Sequence, residues 1–168
     1  TEDGGWIYVS NREMGGGKGG VGALRFNSAG EKIDSYSILE NTTLNCAGGA
    51  TPWGTWLSCE EFDRGQVFEC DPYGKAPAQV RPALGSFKHE AVTVDMINNK
   101  LYLTEDLPDG GFYRFVSEKR LPDISSGDLE IASLVERGGK NYLSWSKISD
   151  PTAADAPVRL QVESYARF

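Results

Sequence analysis

The sequence predicts an all-β fold, a β-propeller of four-stranded antiparallel blades present as an incomplete arc of about three to four blades. Three observations support that expectation. Gly occupies 20 positions and aromatic residues make up 11% of the chain, which suits short strands and tight turns better than a helical bundle. A pattern of alternating strand, acidic or amide end, turn and second aromatic strand recurs three times. Judged on Tyr8, Trp56 and Tyr102, its copies are spaced by roughly 46 to 48 residues, inside the blade range of about 40 to 50.

The first copy opens with WIYVSNRE at residues 6–13 and, after a glycine-rich gap, continues with GALRF at 22–26. The glycines of 15–20 superficially suggest a phosphate loop, but the GK[ST] ending is missing and they read as a flexible connection. The second copy pairs TWLSCEE at 55–61 with GQVFECD at 65–71. The third pairs KLYLTED at 100–106 with GFYRF at 111–115, across a turn containing Pro108 and Asp109. Residues 33–39, 79–82 (an edge) and 91–94 supply the remaining strands of each unit. Beyond Pro122 the pattern weakens: 123–128 reads as loop, 129–135 and 142–145 as a further partial blade, and 151–157 as an exposed loop or short helix. The expected units are therefore about 1–40, 41–86, 87–133 and 134–168. Such an arc falls short of the smallest usual ring of about four blades and would leave apolar sheet faces uncovered, so the chain is expected to be part of a longer one.

Charge and composition narrow the function. A formal net charge of −7 argues against a nucleic-acid backbone as partner and suits a site that gathers hard cations. No run is apolar enough for stable membrane insertion, and no secretory leader is visible. The three cysteines are an odd number; Cys59 and Cys70 flank a hairpin and either pair or serve as small buried hydrophobes.

In a propeller, equivalent strand ends converge on one rim. Here those ends carry Asn11, Glu13, Glu60, Glu61, Glu105 and Asp106, either as solvated turn residues or as ligands of a cation that offsets their repulsion. Cys46, in the Gly- and Trp-rich stretch before the second copy, is a thiolate ligand or inert core. His89, the only histidine, stands beside Glu90, the better ligand of the two. Arg114 is placed to hold a phosphate oxyanion or to pair a carboxylate across the sheet. No CxxC, HExxH or GxSxG is present.

The strings NCAGGATPWGTWLSCEE (45–61), GQVFECDPYG, LGSFKHEAVTVD and LYLTED with GGFYRF together resemble the PhoX-type alkaline phosphatases. The resemblance spans about residues 6–115 and continues more faintly to the end. It implies a six-bladed propeller whose site combines iron and calcium, in secreted phosphomonoesterases acting on small phosphate esters in the periplasm or outside the cell. By motif, Cys46 would be the thiolate ligand of iron. Glu60 or Glu61, Glu90 and Glu105 would be the other metal ligands, with Asp106 a further candidate and Arg114 a substrate contact. The implied mechanism uses a metal-activated nucleophile, with no catalytic side chain. The rest of the site would come from the remaining blades of the parent chain, so this segment alone is expected to be inactive. Two other readings fit the repeats: a non-catalytic, calcium-stabilised binding module, and a lactonase-like propeller hydrolase, neither of which needs Cys46.

Overall fold

The structure is a computed structural model that describes residues 1–167. Its strands form three antiparallel sheets, each a meander in which neighbours in sequence are neighbours in space. The first sheet contains β1 (Trp6–Arg12), β2 (Gly19–Phe26) and β3 (Lys32–Thr42). The second contains β4 (Asn45–Ala50), β5 (Trp56–Glu60), β6 (Val67–Cys70) and β7 (Gln79–Val80). The third contains β8 (His89–Asp95), β9 (Lys100–Glu105), β10 (Phe112–Ser117), β11 (Gly127–Arg137) and β12 (Lys140–Lys147). The all-β arc of blades is thus the observed fold.

Strand number differs from the even division expected from the sequence. Residues 127–137 and 140–147 do not begin a fourth unit; they extend the third sheet as β11 and β12. The loop after Ser117 returns the chain antiparallel to β10, with Gly127 opposite Ser117 and Ile131 opposite Tyr113. Leu129 and Ile131 then alternate into the same interior as Tyr113 and Phe115, which binds β11 to this sheet. Past Ile148 the chain runs through turns at 150–156 and a short 3-10 turn at Val158–Gln161. Phe168, the last position of the expected fourth unit, lies outside the described residues.

The cores lie between sheets. Val67 and Leu57 of the second sheet meet Leu101, Leu103, Tyr113 and Phe115 of the third, all fully buried. Each such side chain contributes about 1.5–3 kcal/mol by leaving water. A smaller core of Val21, Ala23, Ile38 and Cys70, flanked by Trp56 and Phe68, joins the first sheet to the second. Strand β4 runs beside β8 and β1 beside β4, so the inner strands gather on one side. Gly49 makes the closest of these approaches possible: a β-carbon there would overlap the Val92 carbonyl oxygen. Among the described residues no helix is long and apolar enough to cross a membrane.

Replacing Gly49 by Ala in the intact protein is expected to lower stability by about 1–3 kcal/mol, read as a drop in the urea midpoint. An unchanged midpoint would show that β4 and β8 do not pack this closely.

Candidate metal centre

The site begins with the way each hairpin closes. Glu60 ends β5 and Glu105 ends β9, opposite Asn45 and His89 in their registers. Each carboxylate turns back on its own hairpin and accepts the amide six residues on: Gln66 N–H at 3.1 Å for Glu60, Gly111 N–H at 2.9 Å for Glu105. Glu60 also accepts from Thr43 N–H at 2.8 Å. Glu105 also accepts from Tyr113 O–H at 3.0 Å and Arg159 Nη1 at 2.9 Å. Arg12 ends β1 and makes the complementary closure, donating from Nε to the Lys18 carbonyl at 2.8 Å.

Consecutive side chains leave a strand on opposite sides. With Glu60, Glu105 and Arg12 held on the hairpins, the next residues, Glu61, Asp106 and Glu13, project toward the rim. Cys46 and Glu90, each the second residue of an inner strand, start from the same end. The ligand atoms of Glu13, Cys46 and Glu61 all lie within 4.8 Å of one another, as do those of Glu61, Glu90 and Asp106. Glu61 belongs to both groups. Three sheets therefore contribute a thiol and four carboxylates to one place.

Neighbouring groups tune it. Asn11 donates from Nδ2 to the Cys46 and Ala47 carbonyls at 3.0 and 2.7 Å, and accepts from Trp56 Nε1 and Ser58 O–H, both at 3.0 Å. The strand-end amide thereby fixes the backbone that carries the thiol. Lys88 Nζ lies 3.0 Å from Glu61 Oε1 and 2.9 Å from Asp106 Oδ2. A hydrogen bond to Glu61, then burial and the charges of nearby acids, push the Cys46 thiol up to about 12. Burial first, then Glu61, Asp106 and Glu13, raises the Glu90 carboxyl above its usual range. Lys88 holds the Asp106 carboxyl below its own. One ammonium against four carboxylates leaves uncompensated negative charge, and a bound cation would relieve it.

The other sequence candidates sit elsewhere. Glu60 and Glu105 are buried in their hairpins, outside both groups. Burial raises the Glu60 carboxyl, against the pull of its two backbone donors. Arg114 pairs across the sheet with Glu130 and lies 4.4 Å over the Trp145 ring, on a face of the third sheet. His89 is fully buried, with Nε2 3.1 Å from the Gly85 carbonyl and its ring 3.7 Å from that of Phe87. Burial lowers it to about 4, so it is neutral at ordinary pH. Cys59 and Cys70 are buried free thiols, opposite Val67 and Trp56 rather than each other. Two participants go beyond the sequence-derived ligand set. Glu13 was visible only as a strand-end acid, and the repeat is the signal that finds it. Lys88 had no signal beyond its place before Glu90.

Comparison with known proteins follows the same lines. The sequence matches the model of the family described as alkaline phosphatase PhoX over residues 9–66 and 62–164. Among solved structures the chain is similar to Pseudomonas fluorescens PhoX in complex with vanadate, a transition state analogue, with a TM-score of 0.66 at 18% identity. The alignment covers 77% of this chain and 40% of that one, so the chain spans well under half the length of that protein. At this identity the likeness shows the fold. No curated protein matches the chain.

Glu60 and Glu61 are separable by substitution in the intact protein. Glu61→Gln is expected to abolish most of the rise in melting temperature that calcium produces in the wild type. Glu60→Gln is expected to lower the melting temperature by about 2–8 °C while keeping the calcium-induced rise. Equal calcium responses in the two variants would remove Glu61 from the ligand set.

Proposed function

The chain belongs to the PhoX alkaline phosphatase family, and on that premise we propose that it supplies part of the iron- and calcium-dependent site of a phosphomonoesterase. The observation that carries the reading is the convergence of Cys46 with Glu13, Glu61, Glu90 and Asp106 from three sheets. The donor set fits both metals. A thiolate with carboxylates suits iron, and an all-oxygen group suits calcium, which takes six to eight oxygen ligands. Cys46 with Glu13 and Glu61 would hold the first; Glu61 with Glu90 and Asp106 would contribute to the second. The chemistry such cations supply when bound is Lewis-acid polarisation of a phosphoryl group and activation of an oxygen nucleophile.

The chain's own residues have distinct tasks on this reading. Cys46 would have to lose its proton to ligate, and the Glu61 carboxylate hydrogen-bonded to it is an acceptor at hand. Asn11 keeps the Cys46 backbone in place while the charge changes. Glu60 and Glu105 hold the hairpin ends from which Glu61 and Asp106 emerge. Lys88 borders both the acidic groups and an adjacent cavity of about 350 Å³, which offers room for the organic part of a small phosphate ester. The protein would work outside the cytoplasm, in the periplasm or beyond, where calcium is abundant.

Metal analysis of the intact protein is expected to find iron together with calcium, and turnover of p-nitrophenyl phosphate that orthovanadate inhibits. Cys46→Ser is expected to lose iron and activity together. Calcium without iron would instead favour the non-catalytic binding module. The 168-residue chain by itself is expected to hydrolyse p-nitrophenyl phosphate negligibly, and robust turnover would refute that assignment.

A further inference from the structure

The two ligand groups differ in one respect that their composition does not reveal. Of Glu13, Cys46 and Glu61, only Glu61 meets a basic side chain among the described residues, through a single contact from Lys88 at 3.0 Å. The group of Glu61, Glu90 and Asp106 has a cation built in, since Lys88 Nζ bonds to Glu61 and Asp106 at once. The backbone holds it there: Lys88 immediately precedes β8, and its carbonyl accepts the Asp106 N–H at 2.9 Å. Lysine and ligands are thus locked into one local frame. Lys88 also lines the neighbouring cavity, together with Phe87, Arg64 and Arg159, so its flexible stem has a place to go. Arg159 there is already paired with Glu105 and Asp109, and Arg64 donates to the Ala154 carbonyl.

We propose that Lys88 is a resident counter-ion which a divalent cation must displace from Glu61 and Asp106, so that the all-carboxylate group fills after the thiol-containing one. The inference rests on the metal-site reading above and adds an order to it. A cation entering between Glu13, Cys46 and Glu61 competes with one Lys88 contact, where the second group presents two. It draws on Glu61 and so loosens one of the two contacts that hold Lys88. The second group then takes its cation as the ammonium swings into the cavity. Without cations, Lys88 limits repulsion among Glu61, Glu90 and Asp106, which keeps the empty rim folded.

The test is calcium titration of metal-stripped intact protein by calorimetry, comparing wild type with Lys88→Met and Lys88→Arg. Removing the ammonium is expected to tighten calcium binding about tenfold, in line with two partly exposed ion pairs, and Lys88→Arg is expected to stay near wild type. The gap is expected to narrow in high salt. Equal or weaker binding by Lys88→Met overturns the proposal while leaving the metal site intact. Absence of calcium binding in every form overturns the metal-site reading as well. A second readout needs no variant: the side-chain ammonium resonance of Lys88 in the wild type is expected to shift when calcium is added. A resonance unchanged at saturating calcium overturns the displacement.

Discussion

A carboxylate folded back onto its own hairpin is the constraint on which the rim depends. Glu105 is almost fully buried, yet its oxygens are matched by a backbone amide, a tyrosine hydroxyl and an arginine. Glu60 is matched by two backbone amides. Buried charge is tolerated only where partners replace water, and these partners are fixed parts of the turn. The consequence is directional. With one acid tied inward at the last strand position, the acid after it has only the rim to occupy. The doublets Glu60-Glu61 and Glu105-Asp106 thus divide their work, the first residue holding shape and the second offering charge.

Rotational repetition explains how a single rule yields two kinds of candidate ligand group. The same positions recur in neighbouring sheets: strand end plus one, and inner strand second residue. At the inner position the second sheet has Cys46 and the third has Glu90. That one exchange makes one group soft and the other wholly hard. Glu61 stands between them and belongs to both, so the two groups share charge and cannot act independently.

Much of this was legible from sequence, for identifiable reasons. The strand grammar was readable because period-2 alternation and Gly-rich turns are local signals. That strand-end acids gather followed from repetition, and it holds for Glu13, Glu61 and Asp106 but not for Glu60 and Glu105. The doublets were less legible: Glu60 and Glu61 have the same chemistry, and only the hairpin hydrogen bonds separate their directions. Membership of β11, and of β12 after it, in the third sheet was hidden because the pairing of β11 depends on a long loop and on Leu129 and Ile131 reaching a core built by residues far earlier. Arg114 offered two partners in sequence, and register decides in favour of Glu130 directly across the ladder.

Asn11 ties two sheets together through one side-chain amide that donates at one end and accepts at the other. A carboxylate there could do only half of this, since it has no N–H to donate. At position 11 the change would turn the donor facing the Cys46 and Ala47 carbonyls into an acceptor, and would add negative charge beside a rim already crowded with acids. Loss of that single amide would loosen the thiol's backbone and the seam between the sheets in the same event.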